Sequence, residues 1–314
     1  MKKKIFITGI NGFVGLHLAE YCLTKPDVRV YGTVFDGKFK KDKIQIFACD
    51  LTKKEQVKKV ILKVKPDVIF HLAGQSQVST SFDVPEKTLL NNIISDVNLF
   101  EVLKKIKSKA VVVTAGSSEE YGLTLKHELP IKEGNPLRPI SPYAVSKITQ
   151  EKLAFQYHQS YGIKTVLVRC FNTEGPRRPD TFVVSSFAKQ VALIEKGKQK
   201  PVLYVGNLEA KRDFTDVRDV VRAYWLASQK CEFGEPYNIC SGRTMSIQSV
   251  LDVLLSLSSV KNIKILQDPK RMRPSDISVI VGSNAKFKKQ TAWQPKFSFK
   301  ETMEEVLNYW RNVI

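Results

Sequence analysis

The stretch Lys4-Ile5-Phe6-Ile7-Thr8-Gly9-Ile10-Asn11-Gly12-Phe13-Val14-Gly15 decides the fold of this 314-residue chain. A short apolar, strand-like run leads into three glycines spaced three residues apart, and a helical pattern follows. In such a loop Gly9 permits a tight turn, Gly12 lets the backbone approach a phosphate, and Gly15 allows the helix to lie close to the strand. The helix N-terminus adds N–H donors and a positive dipole. This order of strand, glycine loop and helix predicts a dinucleotide site at residues 9–15.

Strand-like and helix-like segments alternate through the first half of the chain. The predicted strands cover residues 4–8, 28–35, 44–48, 67–72, 110–114 and 164–169. The predicted helices cover residues 15–23, 53–65, 89–106 and 141–161. Thr52 and Glu55 form the pattern of a capping box at the second of these helices. The alternation predicts an α/β fold whose doubly wound parallel sheet, the Rossmann arrangement, is covered by helices on both faces.

After Cys170 the sequence no longer predicts a regular alternation of strands and helices, and loops and shorter elements follow. A helix at residues 217–228 and a strand at residues 237–240 are predicted to return to the sheet. We therefore expect residues 1–170 plus about 213–240 to form a dinucleotide-binding domain. Residues 171–212 plus 241–314 would form a smaller C-terminal substrate-binding α/β domain.

Residues after the later strands extend the predicted cofactor site. Asp36 follows the second strand, where a carboxylate would hydrogen-bond a ribose 2′-OH and repel a 2′-phosphate. Lys38, Lys40 and Lys41 follow at once and would suit a 2′-phosphate, so NAD(H) and NADP(H) both stay open. The other predicted cofactor contacts are Asp50, Leu51, Leu72, Ala73, Gly74 and Asn92.

A second group of residues carries the chemistry. Tyr143 and Lys147 are one helical turn apart, so they project from the same face, and the ammonium is expected to lower the pKa of the phenol. Ser117 lies just past a predicted strand, at the carboxyl edge where doubly wound sheets bind ligands, and its hydroxyl would reach the same carbonyl oxygen as Tyr143. Glu119 would move a proton at a neighbouring carbon or cap a turn.

Bulk composition limits the partners. The 50 Lys+Arg and 31 Asp+Glu residues give a net charge of +19, but the lysine clusters alternate with apolar residues as solvated helix faces do. We therefore expect no nucleic-acid partner. The five cysteines show no metal-ligand spacing, which predicts thiols in a reducing compartment and no metal. No apolar run approaches the length of a membrane span, and we expect a cytoplasmic protein.

The predicted helix at residues 141–161 carries apolar groups all round. At about 100° per residue, Ile148 and Phe155 lie nearly opposite Leu153 and Tyr157. One face can pack on the sheet while the other needs a second partner, which favours a homodimer or, beyond it, a tetramer.

Several motifs resemble one enzyme family. TGxxGFVG at residues 8–15, HLAG at 71–74, GSSEEYG at 116–122 and SPYAVSK at 141–147 are similar to the extended short-chain dehydrogenase/reductase superfamily. FNxxGP at 171–176 and the run VGNLEAKRDFTDVRDVVRAYW at 205–225 narrow the resemblance. They resemble the branch of GDP-mannose 4,6-dehydratases and GDP-4-keto-6-deoxy-D-mannose reductases, and the resemblance runs nearly end to end.

The resemblance implies roles for matching residues. Ser117 and Tyr143 would contact the sugar O4, and Lys147 would hold the nicotinamide ribose and tune Tyr143. The implied additional cofactor contacts are Thr173 and Arg178. The implied contacts to a GDP-sugar, with the cations on its pyrophosphate, are Asn172, Lys189, Asn207, Arg212 and Arg273.

Sequence signals divide between two reactions. Ser117 stands where dehydratases usually carry threonine and Glu120 where they carry leucine, which favours the reductase, as does the compact length. The run Arg177-Arg178-Pro179-Asp180-Thr181-Phe182-Val183 is similar to the dehydratase pattern RRxxTFV. We favour the reductase and keep the dehydratase as the alternative. Some relatives bind a dinucleotide only as redox sensors, but they can dispense with the Tyr–Lys pair that this chain retains.

Overall fold

The computed structural model describes residues 2–37, 39–272 and 277–314. Lys38 and the predicted substrate contact Arg273 therefore lie outside the described residues. The strands are β1 (Lys3–Thr8), β2 (Val28–Val34), β3 (Ile44–Ala48), β4 (Val68–His71), β5 (Val111–Ser117), β6 (Lys164–Cys170), β7 (Asn172–Glu174), β8 (Val202–Val205), β9 (Lys211–Arg212), β10 (Phe214–Asp216), β11 (Pro236–Ile239), β12 (Met245–Ser246) and β13 (Lys264–Gln267).

The α-helices flank these strands. They are α1 (Phe13–Leu23), α2 (Lys54–Val64), α3 (Val78–Asp83), α4 (Pro85–Lys105), α5 (Pro142–Tyr161), α6 (Val183–Glu195), α7 (Val217–Lys230), α8 (Ile247–Leu257), α9 (Ala285–Thr291) and α10 (Phe299–Val313). Three short 3₁₀ helices cover Ser118–Tyr121, Lys126–Glu128 and Pro269–Arg271.

Seven parallel strands form the central sheet in the order β11-β6-β5-β4-β1-β2-β3. One face packs against α1 and α7 through residues such as Leu18 and Val220, and the other packs against α2, α4 and α5 through residues such as Val57 and Leu99. The predicted α/β, doubly wound fold is confirmed. The strand order reverses between β1 and β4, and ligands bind such sheets at the carboxyl ends of strands beside a reversal.

A separate apolar core lies in the second half of the chain. Helices α6, α8 and α10 enclose it with residues such as Phe187, Leu251 and Met303, and strand β8 pairs with β13 beside it. Helix α7 instead packs on α1, and β11 pairs with β6 in the central sheet. Helix α9 also packs on the central sheet, because Phe287 of this helix and Trp293, just after it, belong to the core that the sheet forms with α1 and α7.

Local expectations needed two corrections. The capping box at Thr52 is wrong: α2 starts after the N-cap Lys53, and the Thr52 hydroxyl donates to Asp50 Oδ1 at 2.7 Å. The aspartate carboxylate two residues back is a nearer partner than the helix N-terminus, because Asp and Thr side chains readily close such local turns. The second correction concerns Ser117, which is the last residue of β5 and does not lie beyond the strand.

Helices α4 and α5 pack against each other on one face of the sheet. Both carry exposed apolar residues on their outer sides, among them Leu90 and Ile94 on α4 and Val145 and Phe155 on α5. Polar and charged residues alternate with these apolar residues along both helices. Within the described residues, no helix combines the length and the apolar character needed to cross a membrane.

The close approach of α1 to the glycine loop makes a testable prediction. A Cβ added at Gly15 would lie 2.9 Å from Ile10 Cα, whereas one added at Gly134 would meet nothing within 4 Å. Gly15→Ala should therefore lower the free energy of unfolding by about 1–3 kcal/mol, because backbone atoms must move. Gly134→Ala, the control, should stay within about 0.5 kcal/mol of wild type. Urea unfolding measures both, and equal stabilities would contradict this account of the loop.

Candidate active site

A cavity of about 780 Å³ opens at the carboxyl ends of the central strands. The predicted catalytic residues Ser117, Glu119, Tyr143 and Lys147 all line it, together with the glycine loop. The other predicted residues on its wall are Gly9, Asn11, Gly12, Phe13, Val14, Gly15, Asp50, Leu51, Leu72, Ala73, Gly74, Asn172, Thr173 and Arg178. Residues from both halves of the sequence thus face one space.

The glycine loop has the geometry that a dinucleotide needs. Gly9 has φ +64°, and a Cβ there would lie 2.9 Å from Ala73 Cα. Gly12 is the N-cap of α1 and contributes no side chain, so the first turn of the helix faces the cavity. An uncapped helix N-terminus in this position suits the pyrophosphate of NAD(H) or NADP(H), and larger residues would fill the cradle. The residues present therefore fit the predicted cofactor.

Helix α5 carries the Tyr–Lys pair to the end of β5. Ser141 caps the helix by accepting a hydrogen bond from Ala144 N at 3.1 Å. Lys147 Nζ then donates to the carbonyl oxygen of Ala115 at 2.9 Å and lies 5.8 Å from the centre of the Tyr143 ring. The Ser117 side chain lies close enough to the Tyr143 phenol to influence its pKa. The hydroxyl, the phenol and the ammonium thus converge on the same wall of the cavity.

The pKa of Tyr143 differs from the sequence expectation. Burial raises the pKa of the phenol, and the neighbouring Ser117 side chain opposes that rise. Burial also lowers the pKa of Lys147, opposed chiefly by the nearby carboxylates Asp96 and Glu120. The expected lowering of the phenol pKa by Lys147 is therefore wrong for the protein alone: both groups are buried, and burial disfavours the charged form of each.

A buried ionic network supports the Ser117 loop. Glu120 Oε1 accepts a hydrogen bond from Ser117 N at 2.7 Å, and Glu120 Oε2 lies 3.6 Å from Arg169 Nε. Arg169 also forms a two-pronged pair with Glu151 at 2.6 and 2.7 Å and donates to the Tyr121 hydroxyl at 2.8 Å. Burial and the neighbouring Glu151 raise the pKa of Glu120. The segment around Ser117 therefore rests on polar side chains that are buried away from water.

A second buried network joins the glycine loop to the neighbouring strand. The Thr8 hydroxyl oxygen accepts from Leu72 N and Ala73 N at 3.0 and 3.1 Å and lies 2.9 Å from His71 Nδ1. His71 Nε2 lies 3.1 Å from Asp96 Oδ2. Because the hydroxyl already accepts twice, it donates to Nδ1, and Nε2–H then donates to Asp96. The network fixes the two loops that face each other across the cofactor cradle.

Arg178 lies in the cavity wall beside a buried carboxylate. Arg178 Nε is 3.4 Å from Glu174 Oε2, and neither of these buried atoms makes a hydrogen bond. The guanidinium carbon lies 3.8 Å from the ring centre of Phe182 and 5.2 Å from that of Phe13. The arginine thus lies close to two rings, one of which belongs to the glycine loop.

Two predicted cofactor contacts lie off the cavity wall. Asp36 is exposed at the end of β2, and its neighbour Phe35 lines the cavity instead. Asn92 is fully buried, where its side chain accepts from Gln75 N at 2.8 Å and donates to Ser146 Oγ at 2.9 Å. A role in cofactor binding stays a prediction for both residues. The hydrogen bonds of Asn92 connect the loop after β4 to α5.

One of the further predicted substrate residues lines the cavity, and the other three that the structure describes do not. Asn172 lines the cavity, whereas Lys189, Asn207 and Arg212 lie outside its wall. Lys189 is paired with Asp180 at 2.6 Å. Arg212 is buried and donates to the carbonyl oxygen of Ile277 at 2.6 Å. A substrate role for these three residues stays a prediction.

Sequence reasoning missed several residues of the cavity wall. Phe35, Cys170, Thr181, Phe182 and Tyr224 line it. Tyr224 comes from α7, and its hydroxyl lies 3.5 Å from Cys170 Sγ. Only the packing of α7 against the sheet brings these two residues together. Thr181 and Phe182, in contrast, lie within the RRxxTFV motif, which was a usable signal.

Comparisons with known proteins agree with this architecture. Residues 6–306 match the family described as GDP-mannose 4,6 dehydratase. A GDP-6-deoxy-D-mannose reductase of Pseudomonas aeruginosa is 32% identical over 99% of this chain and 98% of its own length. A GDP-mannose 4,6-dehydratase of Vibrio cholerae is 28% identical over 98% of this chain and 93% of its own length.

Solved structures show the same fold. RMD from Pseudomonas aeruginosa, complexed with NADPH, superposes with a TM-score of 0.88 at 30% identity, covering 100% of both chains. UDP-glucose 4-epimerase from Thermus thermophilus, in complex with NAD, gives a TM-score of 0.88 at 29% identity, covering 99% of this chain and 100% of its own. The likeness thus extends over the whole length and is shared by proteins solved with either dinucleotide.

Proposed function

Because the chain belongs to the GDP-mannose 4,6 dehydratase family, we propose that it is an NAD(P)-dependent GDP-sugar reductase. Its substrate is GDP-4-keto-6-deoxy-D-mannose, and its product is GDP-D-rhamnose. The convergence of Ser117, Tyr143 and Lys147 on one cavity wall beside the glycine loop carries the proposal. The 32% identity to a reductase over nearly the whole chain supports this reaction.

The mechanism divides hydride and proton between cofactor and protein. A nicotinamide bound at the glycine loop would supply the hydride for C4 of the sugar. Tyr143 donates the proton to O4, and the Ser117 hydroxyl holds that oxygen in line with the phenol. The raised pKa of the phenol suits this direction of reaction, because Tyr143 stays protonated until a partner accepts its proton. Lys147 holds the nicotinamide ribose and stabilises the phenolate that remains.

The second half of the chain provides the sugar-nucleotide side of the site. In this proposal residues 171–212 and 241–314 form the substrate domain, and residues 1–170 with about 213–240 form the dinucleotide domain. Asn172, Lys189, Asn207, Arg212 and Arg273 hold the GDP-sugar. Asn172 supports this assignment because it lines the same cavity as Tyr143. Asp36 and the adjacent lysines leave NAD(H) and NADP(H) as equal candidates.

A 4,6-dehydratase is the alternative function. Glu119 lines the cavity with Tyr143, and the RRxxTFV motif places Thr181 and Phe182 on the same wall. In this reaction a nicotinamide cofactor would store the C4 hydride and return it to C6. Tyr143 would accept the O4 proton, Glu119 would move the C5 proton to the leaving C6 hydroxyl so that it departs as water, and Tyr143 would return its proton to C5. The match to a dehydratase over 98% of the chain keeps this candidate in view.

The outer face of α4 and α5 supports a homodimer, from which a tetramer could be built. Leu90 is 53% exposed and Phe155 43% exposed, and Ile94 and Val145 extend the same apolar surface. Two antiparallel helix pairs packed face to face would bury these side chains, and burial of apolar surface drives such association. We place the protein in the cytoplasm, where its cysteines, all free in the described part of the chain, would stay reduced.

Product analysis separates the two reactions. We expect the protein to consume NADPH or NADH with GDP-4-keto-6-deoxy-D-mannose and to leave GDP-mannose unchanged, with the products read by NMR. Glu119→Gln should reduce a dehydratase by about 10²–10⁴-fold but a reductase far less, because only the dehydratase needs a base at C5. Conversion of GDP-mannose would overturn the reductase in favour of the dehydratase. Cofactor binding without turnover of either sugar would indicate a sensor.

Tyr143→Phe tests the proton donor. We expect kcat to fall by about 10²–10⁴-fold while the dissociation constant for NADPH or NADH stays within about three-fold of wild type. Tyr161→Phe is the matched control, because Tyr161 lies on the same helix but is half exposed at its far end. Turnover at the wild-type rate in Tyr143→Phe would remove the phenol from the mechanism.

Phe155→Glu tests the dimer. A charge in the centre of the apolar face should shift the protein from dimer to monomer in sedimentation or light-scattering measurements, because a carboxylate is costly to bury without a partner. Leu62→Glu on α2, at a residue that is similarly exposed, should leave the dimer intact. A wild-type protein that is monomeric at all concentrations would contradict this assembly.

A further inference from the structure

Glu174 and Arg178 form a buried acid–base pair that the mechanism above does not use. The Glu174 side chain is 1% exposed, and its Oε2 faces Arg178 Nε at 3.4 Å. Neither atom makes a hydrogen bond, although both are buried. Buried polar atoms normally find partners, and a buried charged pair is stable only when its remaining hydrogen-bonding capacity is satisfied. The pair is therefore incomplete in the protein alone.

The guanidinium of Arg178 lies near the glycine loop. Arg178 lies close to the rings of Phe13 and Phe182, and Phe13 belongs to the glycine loop at the N-terminus of α1. A pyrophosphate bound at that N-terminus would lie within reach of the remaining N–H donors of the arginine. Arginine binds phosphate oxygens in the same manner as carboxylate oxygens, so the two anions compete for one cation.

Other charged groups near this pair are already directed elsewhere. Opposite Glu174 on β10, Asp216 pairs with Arg218 at 2.8 Å and accepts from Thr302 at 2.8 Å. On the adjacent loop, Arg177 is held by Glu20 of α1 at 2.6 Å and by His17. Burial lowers the pKa of Arg178 and the adjacent Glu174 opposes that fall, while Tyr143 of α5 also lies near the guanidinium. Arg178 is thus the charged group that acts on Glu174.

We propose that Glu174 is the internal counter-charge of Arg178 and that the pyrophosphate of the cofactor displaces it, so that binding is coupled to proton uptake by Glu174. Glu174 acts through Arg178 and is a positioning residue. This inference rests on the proposed function, because it assumes a dinucleotide on the glycine loop. As a consequence, the free energy of cofactor binding depends on whether Glu174 is charged.

The sign of the coupling follows from the charges. Burial raises the pKa of Glu174 to about 7 in the protein alone, while Arg178 opposes that rise. A bound pyrophosphate adds negative charge and engages the arginine, so the pKa of Glu174 rises further. Below the lower pKa the carboxyl is already protonated and binding does not depend on pH. Above about 7 the carboxylate must take up a proton, so the dissociation constant increases with pH.

The experiment compares wild type with Glu174→Gln, which keeps the shape and removes the charge. NADH and NADPH binding are measured by fluorescence titration from about pH 6 to about pH 9, and the ratio of the two proteins cancels titration of the ligand itself. We expect the wild-type dissociation constant to rise about three- to ten-fold across this range and the variant to stay flat. The two proteins should bind alike at the acid end, and the variant should bind more tightly at the basic end.

A control and a variant-free measurement complete the test. Glu195→Gln removes the carboxylate partner of Arg311, which lies 2.7 Å away on α10, and should keep the wild-type pH profile. Calorimetry of the wild type in buffers of different ionisation enthalpy should show uptake of about 0.3–0.5 proton per site near about pH 7.5, even if the variant fails to fold.

Two outcomes separate the inference from the function. Parallel pH profiles, or binding without proton uptake, would overturn the role of Glu174 and leave the proposed function standing. A wild-type protein that binds neither dinucleotide would overturn the proposed function and this inference with it.

Discussion

The hydrogen bond from Lys147 Nζ to the carbonyl oxygen of Ala115 is the interaction on which the site depends. It ties the first turns of α5 to the end of β5 and thereby brings a helix residue to a strand that ends at Ser117. A lysine buried in this way would be costly without compensation, because burial disfavours its charge. The carboxylates Asp96 and Glu120 supply that compensation, and each is itself held by a buried network.

Those networks explain why the cavity wall carries so many charges away from water. Glu120 shares Arg169 with Glu151, and breaking such a buried pair by removing one partner typically costs about 3–5 kcal/mol. The same groups fix the amide of Ser117 and so the place of its hydroxyl. The same residues therefore stabilise the fold and position the Ser117 hydroxyl. A substitution at Arg169 is expected to affect both the stability of the protein and the position of that hydroxyl.

Electrostatics also relate two buried groups of the cavity wall. Burial disfavours the charged form of Tyr143, as its proposed role of proton donor requires. Arg178 is held beside Glu174 and near Phe13 of the glycine loop, where a phosphate would complete its coordination. The first arrangement suits transfer of a proton to a sugar oxygen, and the second suits an anionic ligand. Both use the low dielectric of the interior, in which single charges have large effects.

The sequence by itself determined the doubly wound sheet, the glycine loop and the Ser117, Tyr143 and Lys147 group, because each follows from local periodicity, turn chemistry or helical spacing. Tertiary structure decided what those residues experience. Burial decides that the pKa of Tyr143 is raised and that Asn92 lies behind the cavity wall. Contacts between distant segments place Tyr224 of α7 in that wall. Desolvation and long-range packing have no local pattern in a sequence, so only the folded chain could settle them.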